Sequence, residues 1–165
     1  MPIYGFHLDV PFERHVVTER IQSVVREEPP LRQWFSSREP VGVPFIGSVR
    51  DESFKLRRDI RYRNSFLPRL RGRIVPTPTG TRVSVTMFLH PFVALFMVFW
   101  LGGVGYGALT DTSFRLVLWG MFAFGVLLAT GGFFPEAFAA KRILSEALLE
   151  PKEASMQLTG LGKRD

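Results

Sequence analysis

Two kinds of hydrophobic patterning divide this chain. Up to residue 89 apolar residues alternate with polar ones or recur at helical spacing; beyond it they run together. Residues 3–10 alternate, with Tyr4, Phe6, Leu8 and Val10 on one side and Gly5, His7 and Asp9 on the other. That pattern predicts a half-buried strand. Pro11 suits a first helical turn, with Asp9 as a capping candidate. Phe12, Val16, Val17, Ile21, Val24 and Val25 then form a helical stripe, which Pro29 and Pro30 end. Residues 30–44, rich in Pro, Ser and charge, read as a loop, with Trp34 and Phe35 available to pack on the domain or at a membrane interface.

Strands follow. Phe45 to Arg50 is one, with Asp51 and Glu52 as its turn. The next places Phe54, Leu56 and Ile60 on one face and Lys55, Arg57 and Asp59 on the other. From Ser65 to Val75, Phe66, Leu70, Gly72 and Ile74 oppose Arg69, Arg71 and Arg73. Residues 76–80 form a Pro/Thr/Gly turn. A last strand sends Val83, Val85, Met87 and Leu89 inward and Arg82, Ser84 and Thr86 outward. The order strand, helix, four strands predicts an α+β fold: a small antiparallel sheet covered on one face by one helix.

From Pro91 to Leu109 and again from Leu116 to Pro135 no residue carries a formal charge. At about 1.5 Å per residue each run approaches the roughly 30 Å hydrocarbon thickness of a bilayer. Both are apolar around the whole circumference, unlike helices that keep one polar stripe. Only residues 110–115 separate them, so the pair predicts a two-helix transmembrane hairpin. Neither run has the form of a signal peptide. Beyond it, Glu136 to Glu150 reads as a helix with Ala137, Ala140, Leu144, Ala147 and Leu148 on its apolar side, able to continue the second span and cover the sheet. Residues 151–165 carry little periodicity, the pattern of a mobile tail. The expected organisation is therefore a cytoplasmic α+β domain (1–89), a transmembrane hairpin (90–135), and a cytoplasmic helix and tail (136–165). Because Leu89 and His90 leave almost no linker, the sheet is expected to lie against the bilayer.

Charge orients the hairpin. Residues 1–89 hold 15 Lys/Arg against 9 Asp/Glu, whereas the loop and the last segment are balanced, so the net charge of +6 sits before the spans. Basic flanks remain cytoplasmic, which predicts an inner-membrane protein with both termini inside. The lack of cysteine agrees with a domain that needs no disulfides.

The predicted registers gather Lys55, Arg57, Arg69, Arg71, Arg73 and Arg82 on one side of the sheet. Basic groups near an anionic leaflet gain about 1 kcal/mol each, so this face is the candidate for binding lipid headgroups or a protein partner. The plainer account is that they only set topology. Nucleic acid is not expected, since no aromatics interleave the strip. Gly103 and Gly107, like Gly125 and Ala129, are four apart, which suits close helix packing within the hairpin or in a homo-oligomer. The glycine run 102–107 lacks the strand and amphipathic helix of a phosphate loop. His7, His15 and His90 without cysteine give no metal pattern, and no cofactor motif appears. The spans hold no ionisable side chain, which argues against ion transport by this chain alone. No nucleophile elbow or paired carboxylate marks a catalytic residue.

The segment 61–74 contains Arg63, Asn64, Ser65, Phe66, Pro68, Gly72 and Ile74, followed by Gly80 and Thr81 and then by the hairpin. It resembles a motif of small bacterial membrane proteins of unassigned function, in the same order of parts from about residue 3 to residue 150. The resemblance implies a bacterial membrane protein and supplies no activity. Asn64 and Ser65 read either as a turn between strands or as a ligand notch. The leading expectation is a non-enzymatic membrane protein, an accessory or assembly subunit. The alternatives are a membrane-bound enzyme acting on lipid near Tyr62, Asn64 and Ser65, and an oligomeric channel with Thr130 lining its lumen.

Overall fold

The first strand, β1 (Ile3–Val10), and the last, β6 (Gly80–Phe88), pair along their full lengths, so the beginning of the chain closes directly onto the segment that leads into the hairpin. The structure, a computed structural model, describes residues 2–27 and 42–149. Between those strands come α1 (Arg14–Ser23), β2 (Val25–Glu27), β3 (Phe45–Arg50), β4 (Ser53–Arg58) and β5 (Arg69–Thr77); α2 (Pro91–Thr110) and α3 (Arg115–Leu149) follow. The fold is α+β, with a six-stranded sheet in the order β1-β6-β5-β4-β3-β2. All neighbours are antiparallel except β2 and β3.

The sheet is therefore larger than the small antiparallel one expected, and mixed. The extra strand comes from residues assigned to the helical stripe. Val24 and Val25 are β-branched, which disfavours continuing the helix. Val25–Glu27 instead pairs with the free edge of β3, and Phe45 N–H donates to Val24 O at 3.2 Å. The expected strand from Ser65 begins only at Arg69, because residues 64–67 close a turn: Phe66 N–H donates to the Asn64 side-chain oxygen at 2.9 Å and Leu67 N–H to its carbonyl at 3.3 Å. β4 stops at Arg58, short of Ile60, and Asp59 pairs with Arg26 at 2.7 Å. The loop reading of residues 30–44 falls mostly outside the described residues, as do Trp34, Phe35 and the tail 151–165.

One face of the sheet is covered; on the other, Lys55, Arg69, Arg71 and Arg73 are exposed while Ile46, at the β3 end, is buried. Phe54, Leu56, Leu70, Ile74, Val83, Val85 and Met87 point to the covered face and are buried. Against them lie Val17 and Ile21 of α1 and Phe133, Ala137, Ala140, Leu144 and Leu148 of α3. The last five recur every three or four residues, which sets one stripe of α3 against the sheet. Gly72 lies beneath the Phe54 ring on the neighbouring strand, where a Cβ would collide with that ring. At the β5–β6 turn Gly80 has φ +146°, and a Cβ there would strike the carbonyl of Val10.

α2 and α3 are both long and apolar enough to cross a membrane. His90 caps α2, its Nδ1 accepting from Phe92 N–H at 3.2 Å, and Asp111 opens α3 by accepting from Ser113 and Phe114 N–H at 2.7 and 3.0 Å. Within the hairpin the Trp100 ring lies on Gly125, Phe122 approaches Gly105, and Leu118 approaches Gly107. Large side chains point outward all round it, from Phe92 and Phe99 on α2 to Leu116 and Leu127 on α3. α3 runs on through Pro135 as one helix of 35 residues, so its last part lies on the sheet while its first part lies in the hairpin.

Candidate functional site

Alternation along a strand sends every second side chain to the same face, and the observed registers give the open face a definite map. Counting from the end where the hairpin leaves, the first row crosses the sheet as Ile3, Phe88, Arg69, Arg57 and Ile46. The second is Gly5, Thr86, Arg71, Lys55 and Ser48. The third begins His7, Ser84, Arg73 and Ser53. A fourth holds Asp9, Arg82 and Val75. All six cations expected on one face are on it.

Their surroundings differ. Arg82 lies farthest from the hairpin and is held by Asp9 through two bonds of 2.6 and 3.0 Å. Hydrogen bonding from Arg82 holds the Asp9 carboxyl below its usual range, and the same contact raises Arg82. Arg57 is half-buried beside Ile46. Lys55, Arg69, Arg71 and Arg73 are exposed, and among the described residues no carboxylate pairs with them. Arg71 is directly opposite Lys55, and its guanidinium lies 5.0 Å from the Phe88 ring. Like charges facing one another across strands are destabilising, so this arrangement favours an external anion.

The face is also hollow. A concavity of about 750 Å³ is bounded by Lys55, Arg57, Arg69 and Arg71, by Phe88 and Pro91 at the hairpin end, and by Val25 and Glu27 at the β2 edge. Among the described lining residues Glu27 is the carboxylate. Hydroxyls of Ser84 and Thr86 stand beside the arginines of β5. Chemically this is a site of donors and positive charge, suited to phosphate or carboxylate oxygens.

The Asn64 corner serves another purpose. Asn64 donates its side-chain amide to Gly132 O at 2.8 Å while its oxygen closes the 64–67 turn. Pro135 lacks the N–H that would bond a carbonyl four residues earlier, so this part of α3 is where the helix ladder is weakest. Phe66 packs on Gly132, where a Cβ would come within 2.9 Å of it. Four residues further on, Glu136 is buried and accepts from Arg58 at 2.5 Å and from the Tyr62 hydroxyl. Hydrogen bonding to Glu136, then burial, raises the Tyr62 phenol above its ordinary value. The loop between β4 and β5 thus clasps α3 on both sides of Pro135. Ser65 is exposed beside it. Sequence inspection missed Glu136 and Arg58, whose pairing spans 78 positions and leaves no local signature.

Of the small residues singled out for packing, Gly107 and Gly125 lie between the two hairpin helices and Ala129 is buried, whereas Gly103 faces open space. The Thr130 hydroxyl donates to Val126 O at 2.7 Å within its own helix. Among the described residues no group of three or more His, Cys, Asp or Glu is placed to hold a metal ion. No protein-family model matches the chain, and no curated protein matches it at a significant level.

Proposed function

We propose that this chain is a non-enzymatic bacterial inner-membrane protein, of the small-membrane-protein type that its 61–81 segment resembles. In this reading α2 and the first part of α3 span the bilayer, both termini are cytoplasmic, and the open face of the sheet binds anionic phospholipid headgroups. The observation that carries the reading is the set Lys55, Arg69, Arg71 and Arg73, exposed and without acidic partners among the described residues, on the face that ends where α2 begins. Rows on a sheet are about 7 Å apart, two residues of rise, so the first three rows lie within about 14 Å of that end. A Debye length is about 8 Å at physiological salt, so an anionic leaflet at that end attracts the first two rows, within about 7 Å, and is largely screened at Arg73 in the third, about 14 Å away.

The outward apolar side chains of the hairpin support insertion, because soluble surfaces rarely expose so large a contiguous apolar patch. Leu89 and His90 alone connect β6 to α2, and the Arg58–Glu136 and Asn64–Gly132 bonds grip α3, so the sheet is fixed to the hairpin at two points. A sheet held in this way presents its basic rows to the headgroups instead of swinging on a tether. An accessory or assembly role in a larger complex fits a chain that docks on lipid and does no chemistry of its own.

The test uses the full chain in detergent, because the sheet buries its core against α3 and residues 1–89 would be left with an uncovered face. Phosphatidylglycerol added to the micelles is expected to raise the unfolding temperature, as any ligand of the native state does. Phosphatidylcholine is expected to leave it unchanged. Changing Arg69, Arg71 and Arg73 together to Gln is expected to abolish the rise. A rise that survives the triple substitution would mean that those arginines only set topology.

A further inference from the structure

We propose that the trough along β5 is a stoichiometric site for a membrane lipid whose headgroup carries two phosphates; the inference rests on the headgroup-binding reading above and narrows it. Arg69, Arg71 and Arg73 occupy alternate positions of one strand and point the same way. Strand rise separates neighbours among them by about 7 Å, so a single phosphate engages one or two of them. Two phosphates joined by a short linker match that repeat. Arg69 and Arg71, which bound the concavity, would each meet one phosphate, with the Thr86 hydroxyl opposite Arg71; Arg73, opposite Ser84, continues the row beyond that lining. Lys55, opposite Arg71 on the other side, adds charge where the two groups would meet.

Size and polarity agree with an amphiphile of this kind. The concavity of about 750 Å³ is in the range of sites that hold a whole small molecule, about 300–1,000 Å³, and is wide for one phosphate group. Its hairpin end is apolar: Phe88 and Pro91 line it, and Phe92 follows with 74% of its surface exposed. A headgroup in the trough would therefore leave its acyl chains running down α2. A soluble diphosphate would use the basic rows and ignore that apolar end.

The full chain in neutral detergent micelles, titrated with cardiolipin or with phosphatidylglycerol at equal phosphate, tests this by thermal shift and by native mass spectrometry. Cardiolipin is expected to reach half its effect at a mole fraction at least roughly tenfold lower, because its two phosphates bind as one ligand. One bound cardiolipin per chain is expected. The pair of changes Lys55→Gln and Arg71→Gln should remove the preference, whereas Arg142→Gln, on exposed α3, should retain it. Equal potency per phosphate, both lost on changing Arg69, Arg71 and Arg73, would overturn the two-phosphate site and leave headgroup binding standing. No effect of either lipid would overturn both. An equal shift with inorganic pyrophosphate would overturn the lipid as occupant.

Discussion

Glu136→Ala lowers the stability of the detergent-solubilised chain by about 3–5 kcal/mol, the usual penalty for breaking a buried ion pair from one side. The reason is the partner left behind. The Arg58 guanidinium is 20% exposed as a side chain and Glu136 only 9%, so without the carboxylate a positive charge stays out of water with no counter-ion. Tyr62 loses its acceptor at the same time. In a domain of this size the loss corresponds to roughly 10 °C of unfolding temperature. Replacing both partners with apolar residues, Arg58→Met with Glu136→Leu, is expected to recover most of it, since no charge is then stranded. Thermal denaturation followed by far-ultraviolet circular dichroism reads both results. A loss below about 1 kcal/mol for Glu136→Ala would place this pair in solvent, where exposed ion pairs contribute that little.

Phe133→Ala carries a similar penalty from a different cause. Phe133 is fully buried where α3 meets the sheet, with its ring edge-on to Phe134 at 5.4 Å between centroids. Truncating a buried phenylalanine removes its apolar burial and leaves a cavity, at about 3–5 kcal/mol. The contrast residue is Phe99, 81% exposed on the outside of α2. Phe99→Ala in detergent should stay within about 0.5 kcal/mol of the parent, as surface changes do. Chemical or thermal denaturation of the two variants side by side checks the difference. Equal losses would mean that the covered face of the sheet is closed by something other than α3.

These two residues also show where the sequence was informative and where it was silent. Alternation is a local property, so the arginines of β5, the inward Val83, Val85 and Met87, and the stripe Ala137, Ala140, Leu144 and Leu148 were all legible from spacing alone. The continuity of α3 across Pro135 was legible too, because a proline ends the hydrogen-bond ladder for one residue without forbidding a helix that is anchored on both sides. β2 was not legible: Val24 and Val25 continue a helical period, and only the vacant edge of β3 converts them to strand. Arg58 and Glu136 lay hidden because each is an ordinary surface charge until the chain brings them together. The demotion of Arg82 was hidden for the same reason, since its partner Asp9 lies 73 positions away on β1.

Among the basic side chains, then, charge pairing divides along the sheet. Near the hairpin Lys55, Arg69, Arg71 and Arg73 have no carboxylate partner among the described residues; at the far end Arg82 is held by Asp9. Salt bridges at the surface contribute little to stability, so the near cations are free to be recruited by an external anion at small structural cost.

The measurement that bears most directly on the account is side-specific labelling of single cysteines, for which the chain is suited because it contains none. Cysteine at Thr112, in the exposed turn between α2 and α3, is expected to react with a membrane-impermeant thiol reagent added to intact cells. Cysteine at Ser84, on the basic face, is expected to react only after the cells are opened. Labelling of Ser84→Cys from outside, or recovery of the chain in the soluble fraction without detergent, would contradict a hairpin that holds this face against the inner leaflet.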